Sequence, residues 1–181
     1  MNEAMPKSLV DRVQGVIRLD VPTYEEIEAD SSALPQAAMV VAAVAVCQGI
    51  GNAGAGFGSL IFAIFATFLA WLVWSTVSFF IGTKFFGGQA TWDQVLRVIG
   101  FAQAPGLFAI VGLIPFLGWL ITPVVTLWTL VAGVIAIRQS LDLTTGKAVA
   151  TALIGAAIIF FLLLGPIAML GVGTAVLSGR G

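Results

Sequence analysis

Residues 60–81 read LIFAIFATFLAWLVWSTVSFFI, twenty-two consecutive positions without a charged side chain. A helix of that length extends about 33 Å, enough to cross the ~30 Å hydrocarbon core of a bilayer. Apolar residues occupy every face of it, whereas a soluble amphipathic helix keeps one face polar. The run therefore reads as a transmembrane helix dense in Phe, with Trp71 and Trp74 inside it.

Working outward, four more apolar stretches are found. They lie at about 33–50, 99–116, 119–137 and 148–177, and none contains Asp, Glu, Lys, Arg or His. Pro35 falls in the first turn of the first, where Ser31 or Ser32 is placed to cap. Pro105 and Pro115 interrupt the third, and Pro123 lies in the fourth. The last stretch is too long for one straight crossing, and a bend at Gly165-Pro166 would leave a span of about 148–170.

Composition agrees. The 181 residues are 59% hydrophobic and 9% charged, against about 45–50% and about 25% in ordinary soluble domains. So small a soluble protein cannot hide that apolar excess in its core. A net charge of −1 gives no field for nucleic acid. With no histidine and a single cysteine, Cys47, inside an apolar run, no metal site and no cofactor is expected. The polar, acidic first thirty residues lack the pattern of a secretory signal.

Orientation follows from Lys and Arg. Lys7, Arg12 and Arg18 precede the first span; Lys84 and Arg97 lie between the second and third, Arg138 and Lys147 between the fourth and fifth. Five spans with the N-terminus inside place these seven in the cytoplasm and only Arg180 outside. The expected fold is an all-α integral membrane bundle of five transmembrane helices, N-in and C-out, at residues 33–177. A tail at 1–32 precedes it and a short one at 178–181 follows.

The first tail has its own pattern. Leu9, Val10, Val13, Val16 and Ile17 share an arc of a helical wheel, with Asp11, Arg12, Gln14 and Arg18 on the remainder and Ser8 at the cap. Such a helix docks on its own bundle or binds a partner. A second helix is expected to begin at Thr23, with Glu26 closing a capping box. Its Tyr24, Glu25, Glu26 and Glu28 are candidates to face a partner.

The ion-free spans argue against proton-coupled transport, intramembrane aspartyl proteolysis and metal-dependent lipid transfer, and a serine hydrolase lacks its histidine. No enzymatic activity is expected. Of the polar residues at depth, the helix break around Gln103, Pro105 and Gly106, with Pro115 and Gly118 beyond it, is the sharpest candidate site. Proline frees a backbone carbonyl that must find a partner or line a cavity. The small pairs Ala38/Ala42 and Ala45/Gly49 are candidates for close helix packing or an oligomer contact. Trp92 and Trp119 fall near span ends, where indoles favour the interface.

Several strings, in this order, resemble the Yip family, named for interaction with Ypt/Rab GTPases. They are Leu9-Val10-Asp11-Arg12-Val13, Pro22-Thr23-Tyr24-Glu25-Glu26-Ile27, Arg97 to Pro105, Ile114-Pro115-Phe116-Leu117-Gly118 and Leu143 to Ala148. The chain is similar to the short bacterial members. The long cytosolic N-terminal region of eukaryotic members, with its aspartate-leucine and glycine-proline motif, is missing, so GTPase binding is not expected. The resemblance implies a multi-pass protein of the inner membrane without catalytic residues. Its expected role is a scaffold or adaptor in membrane organisation or trafficking-like processes, or an accessory subunit, with the bilayer and other membrane proteins or further copies as partners. The alternative is a facilitator or channel for a small neutral solute.

Overall fold

The computed structural model describes residues 7–51 and 57–159. The described residues are helical, without strands. They form α1 (Leu9–Ile17), α2 (Val21–Ala29), a 3-10 turn (Ser31–Ala33), α3 (Leu34–Gly51) and α4 (Phe57–Phe86). After these come α5 (Trp92–Ala102), a 3-10 segment (Ala104–Leu113), α6 (Pro115–Ser140) and α7 (Thr145–Ile159). Among the described residues, four stretches are long and apolar enough to cross a membrane: Ser31–Ile50, Ile64–Phe86, Trp92–Leu113 and Phe116–Ser140. The α7 helix is apolar and described to Ile159. The remainder of the expected fifth span, with Gly165-Pro166 and Arg180, lies outside the described residues.

The third span differs most from expectation. It begins at Trp92 rather than near Ile99, after a capping box between Thr91 and Gln94. A charged residue, Arg97, had marked the segment before Ile99 as a loop. The protein instead buries Arg97, whose Nε and Nη2 donate to the carbonyl oxygen of Glu28 at 3.2 and 2.6 Å. The α-helix stops at Ala102, just before Pro105 removes a backbone donor. The chain continues as ten residues of 3-10 helix. Because that helix rises about 2.0 Å per residue, the eleven α and ten 3-10 residues together reach roughly 36 Å, a full crossing.

Pro115 opens α6, and Pro123 sits inside it without ending it. Gly87, in the left-handed conformation at φ +74°, closes α4, and the Gly88 N–H bonds the Gly82 carbonyl at 2.9 Å.

The α3 helix packs on the 3-10 segment and α4, while α6 packs on α5, the 3-10 segment and α7. Ala37, Val41, Val44, Trp71, Val95, Val98 and Phe101 are buried at their junction. The tightest approach is at Gly100, where an added Cβ would lie 2.9 Å from Ala37 Cβ and 3.1 Å from the Trp71 indole. Of the expected small pairs, Ala45 and Gly49 are buried and Ala38 and Ala42 half-buried. Ala37, one residue earlier, makes the closest contact.

The tail departs from the sequence reading in three places. Arg12, placed on the polar side of α1, is fully buried, whereas Val10 is 61% exposed. The inward face is instead Arg12, Gly15 and Val16, because Gly15 admits Thr23 of α2 so closely that a Cβ there would lie 2.3 Å from its hydroxyl oxygen. The α2 helix begins at Val21, with Asp20 before it, so the Thr23–Glu26 capping box does not form. Thr23 donates to Asp20 at 2.6 Å and Glu26 turns to Arg12. The turn before α3 is capped by Asp30, which accepts from the Ser32 N–H at 2.8 Å, rather than by either serine. Ser8 caps α1 as expected, in a reciprocal box with Asp11.

Candidate functional site: the docked tail and the membrane cleft

Two features stand out, the tail packed along the bundle as far as the middle of α6 and a cleft among the spans. At the first, α1 and α2 pack against α5, α6 and each other. Arg12 is the centre of the contact. Its Nε and Nη2 hold the two carboxylate oxygens of Glu26 at 3.1 and 2.6 Å, its Nη1 donates to Gln36 Oε1 at 2.8 Å, and Nη2 also reaches Asp30. A guanidinium fork suits this task, since it presents fixed donors to paired acceptors. The Ser32 hydroxyl and then Arg12 hold the Asp30 carboxyl down at about 2. Glu26 in turn raises the pKa of Arg12.

The residues considered for a partner surface are placed as follows. Tyr24 is fully buried, its hydroxyl donating to the Val16 carbonyl at 3.4 Å, and burial pushes its phenol upward. Glu26 faces Arg12. Glu28 accepts from Gln94 Nε2 at 3.2 Å, and its carboxyl is raised by burial and then by Asp142. Glu25 is exposed and accepts from Gln139 Nε2 at 2.9 Å. Trp128 Nε1 donates to the Ile17 carbonyl at 3.0 Å and its ring stacks on Phe108, centroids 5.6 Å apart. The tail is thus pinned to α3, α5 and α6.

Gln36 and Trp128 were missed as partners of the tail, and Asp30 as a partner of Arg12 within it. Arg12 was read as solvated because a wheel of α1 sorts side chains by polarity alone. The usable signal was Gly15, a small residue on the same face as Arg12, which marks close approach of another helix.

The second feature is a cleft of about 1010 Å³ between α4, the third span, α6 and α7. Gln103, Gly106 and Gly118, three residues of the expected helix-break site, line it. Pro105 is buried beside it and does not line it. Pro115 stands at the start of α6. Gly106 packs toward Val44, and Gly118 lies close to the Gly112 backbone. The lining is mostly Ala, Gly, Val and Leu, with Trp74 and Trp119 among them and Gln48, Thr122, Thr126 and Thr129 as further polar members. Gln48 accepts from Thr67 at 3.4 Å. The three threonines donate to backbone carbonyls four residues back in their own helix at 2.7–2.9 Å. No charged side chain lines the cleft among the described residues. No His/Cys/Asp/Glu group able to hold a metal occurs among them.

No curated protein and no solved structure matches the chain. The model of the Yip1 domain matches residues 20–167, from the start of α2 through the described bundle. With its apolar membrane-crossing helices and that match over most of its length, the chain belongs to the Yip1-domain family of membrane proteins.

Proposed function

We propose that this protein is a non-catalytic scaffold or adaptor of the inner membrane, with five spans and its N-terminus in the cytoplasm. It works through a preformed platform at the cytoplasmic end of the bundle, alone or as an accessory subunit. The observation that carries the reading is the pinning of α1 and α2 by Arg12, Trp128, Arg97 and Gln139. A segment held at four places presents a fixed surface, and preorganised surfaces bind at lower entropic cost. Arg18, Glu25, Arg138, Asp142 and Lys147 are exposed and supply charges of both signs for a partner protein or a second copy. Membership of the family and a cleft lining without charged side chains among the described residues support the same reading. GTPase binding is not part of it.

The test is purification in mild detergent after photo-crosslinking from Arg18 and Glu25 in intact cells. A homo-oligomer or a defined partner crosslinked from both positions, and lost in Arg12→Ala, is the expected result. A monodisperse monomer without crosslinks contradicts the proposal. Solute flux through liposomes above background, abolished by Gln103→Leu, would replace it with a facilitator.

A further inference from the structure

We propose that the membrane cleft is a binding site for an uncharged, hydroxyl-headed lipid of the diacylglycerol type. The proposal is independent of the scaffold reading and needs only the membrane location.

Depth comes first. Gln103 lies six residues beyond Arg97, the last charged residue before the helix break, roughly 9 Å farther along the third span and followed by the apolar 3-10 segment. That sets it within the ~30 Å hydrocarbon core, where a charged headgroup is costly and no cationic or anionic side chain in the cleft would offset it. The head must therefore be neutral.

Hydrogen-bond chemistry narrows it further. Thr122, Thr126 and Thr129 each spend their hydroxyl hydrogen on a backbone carbonyl. A hydroxyl carries one hydrogen and two acceptor lone pairs, so what these oxygens can offer a ligand is acceptance only. The ligand must then bring O–H donors. The side-chain amide of Gln103 forms no hydrogen bond among the described residues and is half-buried against the cleft. It can both donate and accept, and an amide at membrane depth gains by finding a partner. A lipid ester carbonyl takes the amide hydrogens, while a free hydroxyl donates to the threonines. A triester lacks the hydroxyl, and a phospholipid carries a charge the site does not meet.

Room and access fit the same class. A volume of about 1010 Å³ lies at the upper end of the ≈300–1,000 Å³ range of ligand pockets. The walls formed by Leu69, Val73, Val125, Leu130 and Leu153 suit acyl chains. Trp119 and Leu153, among the lining residues, are 78% and 65% exposed, so the cleft communicates with the surrounding lipid phase.

The test uses the full chain in nanodiscs with three probes bearing the same acyl-chain diazirine: a diacylglycerol, a triacylglycerol and a phosphatidylglycerol. The diacylglycerol is expected to label α6 and α7 residues of the cleft, in competition with unlabelled diacylglycerol and at least fivefold above the other two. Gln103→Leu and Thr126→Val should each cut that labelling roughly fivefold, the effect of one hydrogen bond at membrane depth. Thr83→Val, away from the cleft, should leave it unchanged. If Gln103→Leu does not fold, Thr126→Val on the regular part of α6 decides. Equal labelling by the three probes, or labelling insensitive to Thr126→Val, overturns the proposal. So does a disulfide that forms fully in the membrane between Thr129→Cys and Leu164→Cys in a Cys47→Ala background, which would show this chain filling its own cleft.

Discussion

Trp128 donates its indole N–H to the carbonyl oxygen of Ile17 at 3.0 Å, joining the last turn of α1 to the middle of α6 across 111 residues of chain. The tail is therefore a packed part of the bundle. Trp128→Phe keeps an aromatic face for Phe108 but leaves the Ile17 carbonyl without this donor. The expected loss is about 1 kcal/mol of stability, with faster tryptic cleavage at Arg18. Thermal unfolding in detergent and limited proteolysis read both, and unchanged cleavage would show that this bond does not hold the tail.

Arg12 carries more. Arg12→Ala leaves Glu26 and Asp30 without their shared cation and Gln36 without a donor. Removing one partner of a buried ionic group costs about 3 kcal/mol. Arg12→Lys should recover only part of it, since an ammonium has three N–H groups on one nitrogen for the four hydrogen bonds that the fork makes to Glu26, Asp30 and Gln36. A Lys variant as stable as wild type would refute the forked geometry.

The same region sets a pH dependence with two opposed parts. Asp30 is held at about 2 against an ordinary 3.8. Its folded value is the lower one, so its contribution is complete above pH 4 and is lost as pH falls from there toward 2. Glu28 is shifted upward, first by burial and then by Asp142. Its folded value is the higher one, so its contribution favours the folded state in acid and is lost as pH rises through the folded value. Glu28→Gln keeps an acceptor for Gln94 and removes the buried charge. It is expected to raise the melting temperature at pH 7 and to abolish any gain seen on acidifying wild type to pH 5. A lower melting temperature at pH 7 would contradict the burial argument.

Much of the architecture was legible in the sequence because hydrocarbon length and charge are coarse constraints. The run at 60–81 lies inside α4, and the α-helix of the third span ends at Ala102, just before the break expected at Pro105. What was not legible depended on long-range pairing. Nothing local says that Arg97 is answered by the Glu28 carbonyl, and without that partner a charged residue reads as a loop. Arg12 is the same case, since Gln36 and Glu26 lie on other helices. The Thr23 cap failed because Asp20, three residues earlier, offered a competing start.

Close packing gives a further expectation. A methyl group at Gly100 would press on Ala37 and Trp71, neither of which can swing away. Gly100→Ala should cost about 1–3 kcal/mol. Gly133→Ala, where nothing lies within 4 Å, should cost nothing, although both glycines are helical. Equal melting temperatures for the two variants would refute the crossing point.

The orientation of the bundle is the claim on which the cytoplasmic platform depends, and labelling of single cysteines from either side of the membrane tests it most directly. In a Cys47→Ala background, cysteines at Gly58, Gln89 and Thr144 occupy exposed positions, and one at Ser178 reports the C-terminal tail. Five spans with the N-terminus inside predict that Gln89 and Thr144 react only from the cytoplasm, and Gly58 and Ser178 only from the opposite side. Labelling of Ser178 from the same side as Thr144 would contradict the five-span account, and labelling of Gln89 and Thr144 from outside would invert the platform.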